Sequence, residues 1–372
     1  MKLHEYQSKQ IFDQYGIPIP EGIICTTINE AGQAVRQLHS AVIKAQVLVG
    51  GRGKAGGILK ATQDNASSIA SHIFGLTIKD LPVRKVLVEK SMAIANEYYV
   101  AIVLDRSTGC PMLMVSASGG VDIEEVARTS PHLICKRSID PCMGLMSHQL
   151  LYIAKMLGID DITALSKLIK NLYNIYETLD CTLVEINPLV LTQDGRIIAL
   201  DAKINIDDNA LFRQKAMQKL YIQNQNDLEP HEVQAKKLDM SYVDMEGNIG
   251  CIVNGAGLAL ATLDMISLTG GSPANFMDVR GGADAFHVGS AVSITASNPG
   301  TKVLLINMFG GLTLCDEIAQ GIRDTLTGLD IPVVIRLTGT NQEKGWDILQ
   351  GANVTVAHST SEAARIAVEM VQ

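Results

Sequence analysis

Aromatic residues are scarce in this chain, at 4% of 372 positions with a single tryptophan. So few flat rings leave little surface on which the bases of a single strand could stack. No cluster of lysine and arginine is long enough to follow a nucleic-acid backbone, and the formal net charge of −8 opposes one. Nucleic acid is therefore not an expected partner. No run reaches the roughly 18 apolar residues that a membrane-crossing helix needs, so no membrane partner is expected either. The seven cysteines (25, 110, 135, 142, 181, 251 and 315) are odd in number and form no C-x-x-C pair. That pattern argues against a disulfide framework and fits thiols kept reduced in a cytosol or an equivalent matrix.

What is present describes a globular protein. Apolar residues make up 47% and charged residues 19%, and the length predicts two or three domains. The opening "MKLHEYQSKQIFDQYG" has the spacing of an amphipathic helix closed by Gly16, with Leu3, Ile11, Phe12 and Tyr15 on its buried side. The order of elements changes near residue 235. Before it, helices at 3–15, 64–75 and within 148–178 mix with strands at 41–48, 58–62, 83–90 and 97–105. A hairpin over "CTLVEINPLVLTQDGRIIALDAKINI" turns at Asp194-Gly195. Residues 205–246 read as a polar, irregular connecting segment. After 247, four strand–glycine turn–helix units follow one another, which predicts an open parallel sheet with helices on both faces. Such sheets bind ligands at the carboxyl ends of their strands, here marked by Asn254-Gly255, Gly310-Gly311 and Gly339-Thr340.

The stretch "VIKAQVLVGGRGKAGGILKA" contains a literal G-x-G-x-x-G at Gly51, Gly53 and Gly56. A P-loop needs a hydroxyl after Gly-Lys, and Ala55 follows Lys54. A dinucleotide turn must open a helix, whereas "GILKATQ" has strand character. The spacing instead predicts a hairpin whose glycine loop could close over a polyphosphate, with Lys44 and Arg52 supplying positive charge, or else a mobile surface hairpin with solvated charges.

The 183–203 hairpin carries Glu185 and Asn187 on one face, because strand side chains repeat every two residues. A three-residue loop at 193–195 sets Asn187 opposite Asp201; a two-residue loop sets it opposite Ala202. In the first register the two side chains offer hard oxygens for Mg²⁺, and in either the hairpin could simply present polar groups to solvent. Glu89 and Glu97 bracket a connection that could form a hinge for a purine edge and a ribose.

Taken together, "LHEYQSKQIF", "VIKAQVLVGGRGKAGG", "GGVDIEEVA", "EINPLV", "LDAKINIDDNALFR", "GNIGCIVNGAGLA", "PANFMDV" and "NMFGG" closely resemble the β-subunit family of succinate–CoA ligase, from the first residues almost to the last. The resemblance implies an α+β ATP-grasp domain over residues 1–235, then an α/β flavodoxin-like CoA-ligase domain with a parallel sheet over 236–372, which contacts an α subunit. It implies ATP or ADP with Mg²⁺. Pro20 resembles the adenine-using members more than the guanine-using ones, and GTP stays an alternative. Succinate is the acid, and the α subunit carries a phosphohistidine and binds CoA. By resemblance, Lys44 and Gly51-Arg52-Gly53 hold the phosphates, while Glu89, the backbone at Met92, and Glu97 hold base and ribose. Asn187 and Asp201 match the metal ligands, and Glu185 the residue that meets the phosphohistidine. Asn254 and Gly311-Leu312-Thr313 match the edge facing the acid and the α subunit. The chain is expected to be inactive alone, in a bacterial cytoplasm or a mitochondrial matrix.

Departures concentrate in the second half. Arg280 stands where the family has the first of three glycines, Leu314 where it has a cation before Cys315-Asp316, and residues 283–300 have drifted. A cation at a glycine turn alters backbone or pocket, and losing an arginine removes a fork suited to carboxylates. Two further readings therefore stay open: a related acid–CoA ligase such as malate–CoA ligase, and a nucleotide-binding paralogue with impaired turnover.

Overall fold

The computed structural model describes residues 1–79, 81–224 and 230–371. The chain divides into two compact units, Met1–Asp227 and Leu228–Gln372. The boundary expected at 235/236 falls inside the helix Pro230–Lys237, whose Ala235 is buried in the second unit's core.

In the first unit, the strand Ser40–Ala45 runs antiparallel to Ile58–Thr62, with Lys44 opposite Ile58. The glycine stretch between them is therefore a hairpin loop, and no helix follows it. Gly57 is the close-packed member: a Cβ there would crowd Ile78, Ala45 and the Arg52 carbonyl. Gly51 and Gly56 have φ of +87° and +75°, a region where other residues are strained. The hairpin belongs to a four-stranded sheet completed by Val86–Lys90 and Gly22–Cys25. Helices Ile28–Leu38 and Ala66–Phe74 pack on that sheet around Val35, Ile43, Ile73 and Val88.

Residues 91–93 then link Val86–Lys90 to Ile94–Asp105, which lies in a separate six-stranded sheet. The second sheet holds Cys181–Thr192, Ile197–Ala199, Lys203–Ile206, Cys110–Ser116 and Ile134–Ser138, the last of which the sequence pattern did not reveal. Its core is built on Val100, Ile102, Val184 and Ile186, against the helices Ser147–Leu157 and Ile162–Thr178 and the first helix, Glu5–Gln14. That core holds Leu3, Ile11 and Phe12 as expected, with Tyr15 packed at its rim.

The hairpin turn adopts the three-residue form. Thr192 and Arg196 close it, and Gly195 has φ of +84°. The same register continues through Leu189 opposite Ala199 and Glu185 opposite Lys203, so Asn187 and Asp201 occupy facing positions.

Residues 205–246 are not irregular. They contain the helices Lys215–Asn224 and Pro230–Lys237 and the strand Ser241–Asp244, while residues 225–229 lie outside the described set. Both helices are weakly patterned, and each is anchored by few buried side chains such as Met217, Asn224 and Ala235. Packing stabilises them, which sequence periodicity does not report.

The second unit is a six-stranded sheet in the order 241–244, 275–278, 249–253, 303–310, 333–339, 355–356. All neighbours are parallel except the edge strand Ser241–Asp244. Helices Ala285–Ala296 and Cys315–Leu326 cover one face through Val288, Ile318, Leu304 and Ile306. Helices Ala256–Leu268 and Thr360–Glu369 cover the other through Ile266, Ala364, Leu305 and Val334. The expected parallel sheet with helices on both faces is thus present. Asn275–Asp278 is a further parallel strand, and the drifted segment 283–300 forms a helix capped by Asp284. Among the described residues, no helix is long and apolar enough to cross a membrane.

Candidate functional site

Where the two sheets of the first unit meet, six ionised side chains form one cluster. Lys44 projects from the strand Ser40–Ala45, and its Nζ lies 2.9 Å from Glu5 Oε1 and 2.6 Å from Glu89 Oε2. It also donates to the Leu200 carbonyl at 2.6 Å. Lys9 makes a parallel set, lying 3.0 Å from Glu5 Oε1, pairing with Glu89 Oε1 and donating to the same Leu200 carbonyl at 2.8 Å. Arg52 reaches in from the glycine loop, donating to Glu5 Oε2 and, through Nη2, to both Asp201 oxygens at 3.0 and 2.8 Å.

Side-chain exposure is 6% or less for Glu5, Lys9, Lys44 and Glu89 and rises to 27% at Asp201, so the cluster opens at that end. Burial pushes the Glu5 carboxyl upward, but Arg52, Lys44 and Lys9 outweigh it and hold the group well below the usual carboxylate range. Burial lowers the Lys9 ammonium and Lys44 lowers it further, with Glu5 and Glu89 opposing. For Lys44 the burial cost is overcome by Glu5, Glu89 and Asp201, which raise it. Lys44 and Arg52 are therefore held as cations, and each has anionic oxygens as neighbours.

The structure brings Lys44, Arg52, Glu89 and Asp201 together. Glu89 is committed to the two lysines, not to the open hinge at 91–93. Met92 lies in that hinge, half-buried, and Glu97 is exposed on the next strand. A second node joins Glu97 to Asn187. Gly119 N–H donates to the Glu97 carbonyl, and Gly120 packs so closely on the Glu97 carboxylate that a Cβ there would collide with it. Gly120 N–H donates to Asn187 Oδ1 at 2.8 Å, and Asn187 Nδ2 donates to the Val121 carbonyl at 2.9 Å. Although Asn187 faces Asp201 in register, its amide is engaged with this loop.

Glu185 lies on the same strand, paired with Lys203 at 3.6 Å. Burial raises its carboxyl above the usual range, Lys203 opposes that, and Asp201 and Glu124 add to it. Gly51 and Gly53 have open space where a Cβ would stand or only a marginal contact, so the loop leaves its backbone accessible.

In the second unit, the carboxyl edge of the sheet is tied by an amide, a hydroxyl and a carboxylate, each bonded to backbone groups. Asn254 donates to the Phe309 carbonyl at 2.7 Å and accepts from Phe309 N–H at 2.8 Å. Asp278 Oδ1 accepts from the N–H groups of Gly255 and Arg280, at 2.7 and 2.8 Å. Thr313 is buried and accepts from Gly282 N–H at 2.7 Å, while Leu312 is 87% exposed beside the open Gly311. Arg280 holds the left-handed conformation of a glycine, φ +61°, and its side chain pairs with Asp239 on the surface. It adds its charge there and keeps the turn.

Glu5, Lys9, Leu200 and the Gly119–Val121 loop all lie in segments that carry the family resemblance, yet no role is read for them from the sequence. The i, i+4 spacing of the first pair ordinarily marks a solvated helix face.

Residues 2–191 match the ATP-grasp domain family, and residues 252–370 match the CoA-ligase family. The ADP-forming succinate–CoA ligase subunit beta of Aquifex aeolicus is 44% identical over 100% of this chain and 99% of its own length. The chain belongs to the succinate–CoA ligase β-subunit family. The subunit of that name from Bacteroides thetaiotaomicron is 45% identical over 99% of this chain and 100% of its own length, and that from Bacillus pumilus 42% over 100% of both. Among solved structures, an ATP citrate lyase of Methanothrix soehngenii aligns with a TM-score of 0.71 over 99% of each chain. At 21% identity that likeness bears on the fold alone.

Proposed function

We propose that this chain is the nucleotide-binding β subunit of a succinate–CoA ligase. With an α subunit that carries CoA and a phosphorylated histidine, it interconverts succinate, CoA and ATP with succinyl-CoA, ADP and phosphate. The observation that carries this reading is the Lys44–Arg52 cation pair beneath a glycine hairpin, in a chain whose full length matches subunits of that name. Bacterial relatives favour a cytoplasmic location.

In this reading Lys44, Arg52 and the backbone N–H groups of Gly51 and Gly53 take the phosphates. Phosphoryl transfer needs little covalent work from the protein, so positioning and charge dispersal are the main contributions of such residues. The backbone at Met92, within the hinge, and Glu97, on the strand that follows it, serve base and ribose. Glu89 shares that task only if it gives up one lysine. Glu185, whose carboxyl burial raises above the usual range, meets an incoming imidazole and orients its cationic form. Asn254 and Gly311-Leu312-Thr313 face the acid and the α subunit.

Asp201 and Asn187 are suited to Mg²⁺ by their hard oxygens and facing register. Asp201 accepts from Arg52 and Ala202 N–H, and Asn187 from Gly120 N–H, and the acceptor lone pairs left on both would hold the ion. A bound Mg²⁺ supplies charge neutralisation for phosphate oxygens.

Arg280 bears on the reading in which turnover is impaired. Its side chain leaves the sheet edge and its backbone keeps the glycine turn, which weighs against a blocked site. Co-expression with the α subunit and a CoA-dependent ADP-release assay tests the proposal. Release with succinate is expected; release with malate alone would move the chain to the related ligase, and release with neither acid despite nucleotide binding would favour the paralogue.

A further inference from the structure

Beyond the residues given a role above, the first helix delivers two more charges to the cluster, Glu5 and Lys9, one turn apart and both buried. We infer that these are positioning residues for the phosphate cations. Glu5 sets Lys44 and Arg52 in place, and Lys9 keeps the buried carboxylates neutralised when Lys44 turns to the phosphates of a nucleoside di- or triphosphate. The inference rests on the nucleotide reading of this site.

The geometry of Glu5 carries the first half. Its Oε1 lies 2.9 Å from Lys44 Nζ, and its Oε2 accepts from Arg52 Nη1 and from Gln46 Nε2 at 3.3 Å. One carboxylate thus spans two cations that come from different elements, a strand and the loop of its hairpin. Gln46 in turn accepts from Tyr6 N–H at 3.0 Å, so the first helix is registered against the strand by backbone as well as side chain.

The duplicate lysine carries the second half. Lys9 and Lys44 share three neighbours: Glu5, Glu89 and the Leu200 carbonyl. Without Lys9, Lys44 moving onto phosphate would strand the buried Glu89 carboxylate and leave Glu5 with Arg52 alone, which is strongly unfavourable. With Lys9 in place, each carboxylate keeps a cation throughout the exchange. Glu5, Glu89 and Asp201 balance Lys9, Lys44 and Arg52 in formal charge, so no net field has to be overcome before the ligand arrives.

A merely structural cross-link would share these contacts, and the test separates the two roles. Mg·ADP affinity and thermal midpoint are measured on the full chain as wild type, as Glu5→Gln, and as the double variant Glu5→Gln with Lys9→Met. The double variant removes one anion and one cation and so restores the charge balance, which keeps the experiment decisive if Glu5→Gln alone fails to fold. Positioning predicts that the double variant regains most of the thermal midpoint but still binds Mg·ADP at least about tenfold more weakly than wild type. In the complex with the α subunit its nucleotide KM rises while the KM for succinate stays. Wild-type affinity in the double variant, or in a folded Glu5→Gln, overturns the inference. If wild type itself fails to bind Mg·ADP, the nucleotide reading falls first and takes the inference with it.

Discussion

In the first unit the candidate site is made of three carboxylates and three cations in mutual contact, whereas the second unit's sheet edge is held by the Asn254 amide, by the Asp278 carboxylate on backbone N–H groups, and by glycines in close approach. The two arrangements suit different tasks. An ion cluster with duplicate partners can trade one contact for another at small net change, so it can admit a charged ligand. An edge where Gly339 packs against Gly310 has no room to trade, so it holds a fixed surface. In the proposed function the first unit handles the charge of phosphoryl transfer, and the second unit's edge presents shape.

That contrast is broken most severely at the glycines. Gly339 has φ of +126°, and a Cβ there would collide with the Gly310 carbonyl. Gly339→Ala is expected to destabilise the second unit by about 3 kcal/mol or more, read by denaturant unfolding. Nucleotide affinity in the first unit should survive under native conditions.

Asp201→Asn should act the other way. It removes a carboxylate from the open end of the cluster, and Mg·ADP affinity should fall roughly tenfold, a loss of about 1.4 kcal/mol in binding, while the chain stays folded. An unchanged magnesium titration would remove Asp201 from the metal assignment.

The next effect is a shift in pH dependence. Burial raises the Glu185 carboxyl and Lys203 opposes it, so removing that cation raises it further. At a given acidic pH less carboxylate remains ionised. The acid limb of α-subunit histidine phosphorylation should therefore move to higher pH in Lys203→Met, and Glu185→Gln should slow phosphorylation while sparing nucleotide binding. An acid limb that does not move in Lys203→Met would separate Glu185 from the transfer step.

The smallest effect is expected at Arg280. Replacing it by glycine relieves a left-handed backbone and removes only an exposed ion pair, for a gain of about 1 kcal/mol in thermal unfolding with unaltered turnover.

Much of this contrast is legible in the residue order. The strand after Gly57 identifies the glycine stretch as a hairpin, since a β-type run cannot supply a helix N-terminus. The repeated strand–glycine–helix rhythm gives the parallel sheet of the second unit, because each period is complete within a few residues. What stays hidden depends on long-range contacts. Glu5 and Lys9 read as one solvated turn until strand Ser40–Ala45 and Leu200 cover them. Glu89 reads as a strand-end carboxylate near a hinge, and only the packed sheet turns it toward two lysines. The helices within 205–246 are weakly patterned, so their packing decides them. Arg280 reads as a disruption, and the backbone conformation with its Asp239 partner makes it a tolerated replacement.

In the proposed function the first unit loads a nucleotide and passes its phosphoryl group to a histidine outside this chain. Incubating the complex with γ-labelled ATP and Mg²⁺, in the absence of succinate and CoA, tests it directly. Acid-labile label is predicted on the α subunit, abolished by Lys44→Ala. Label found on this chain instead, or transfer undiminished in Lys44→Ala, would contradict it.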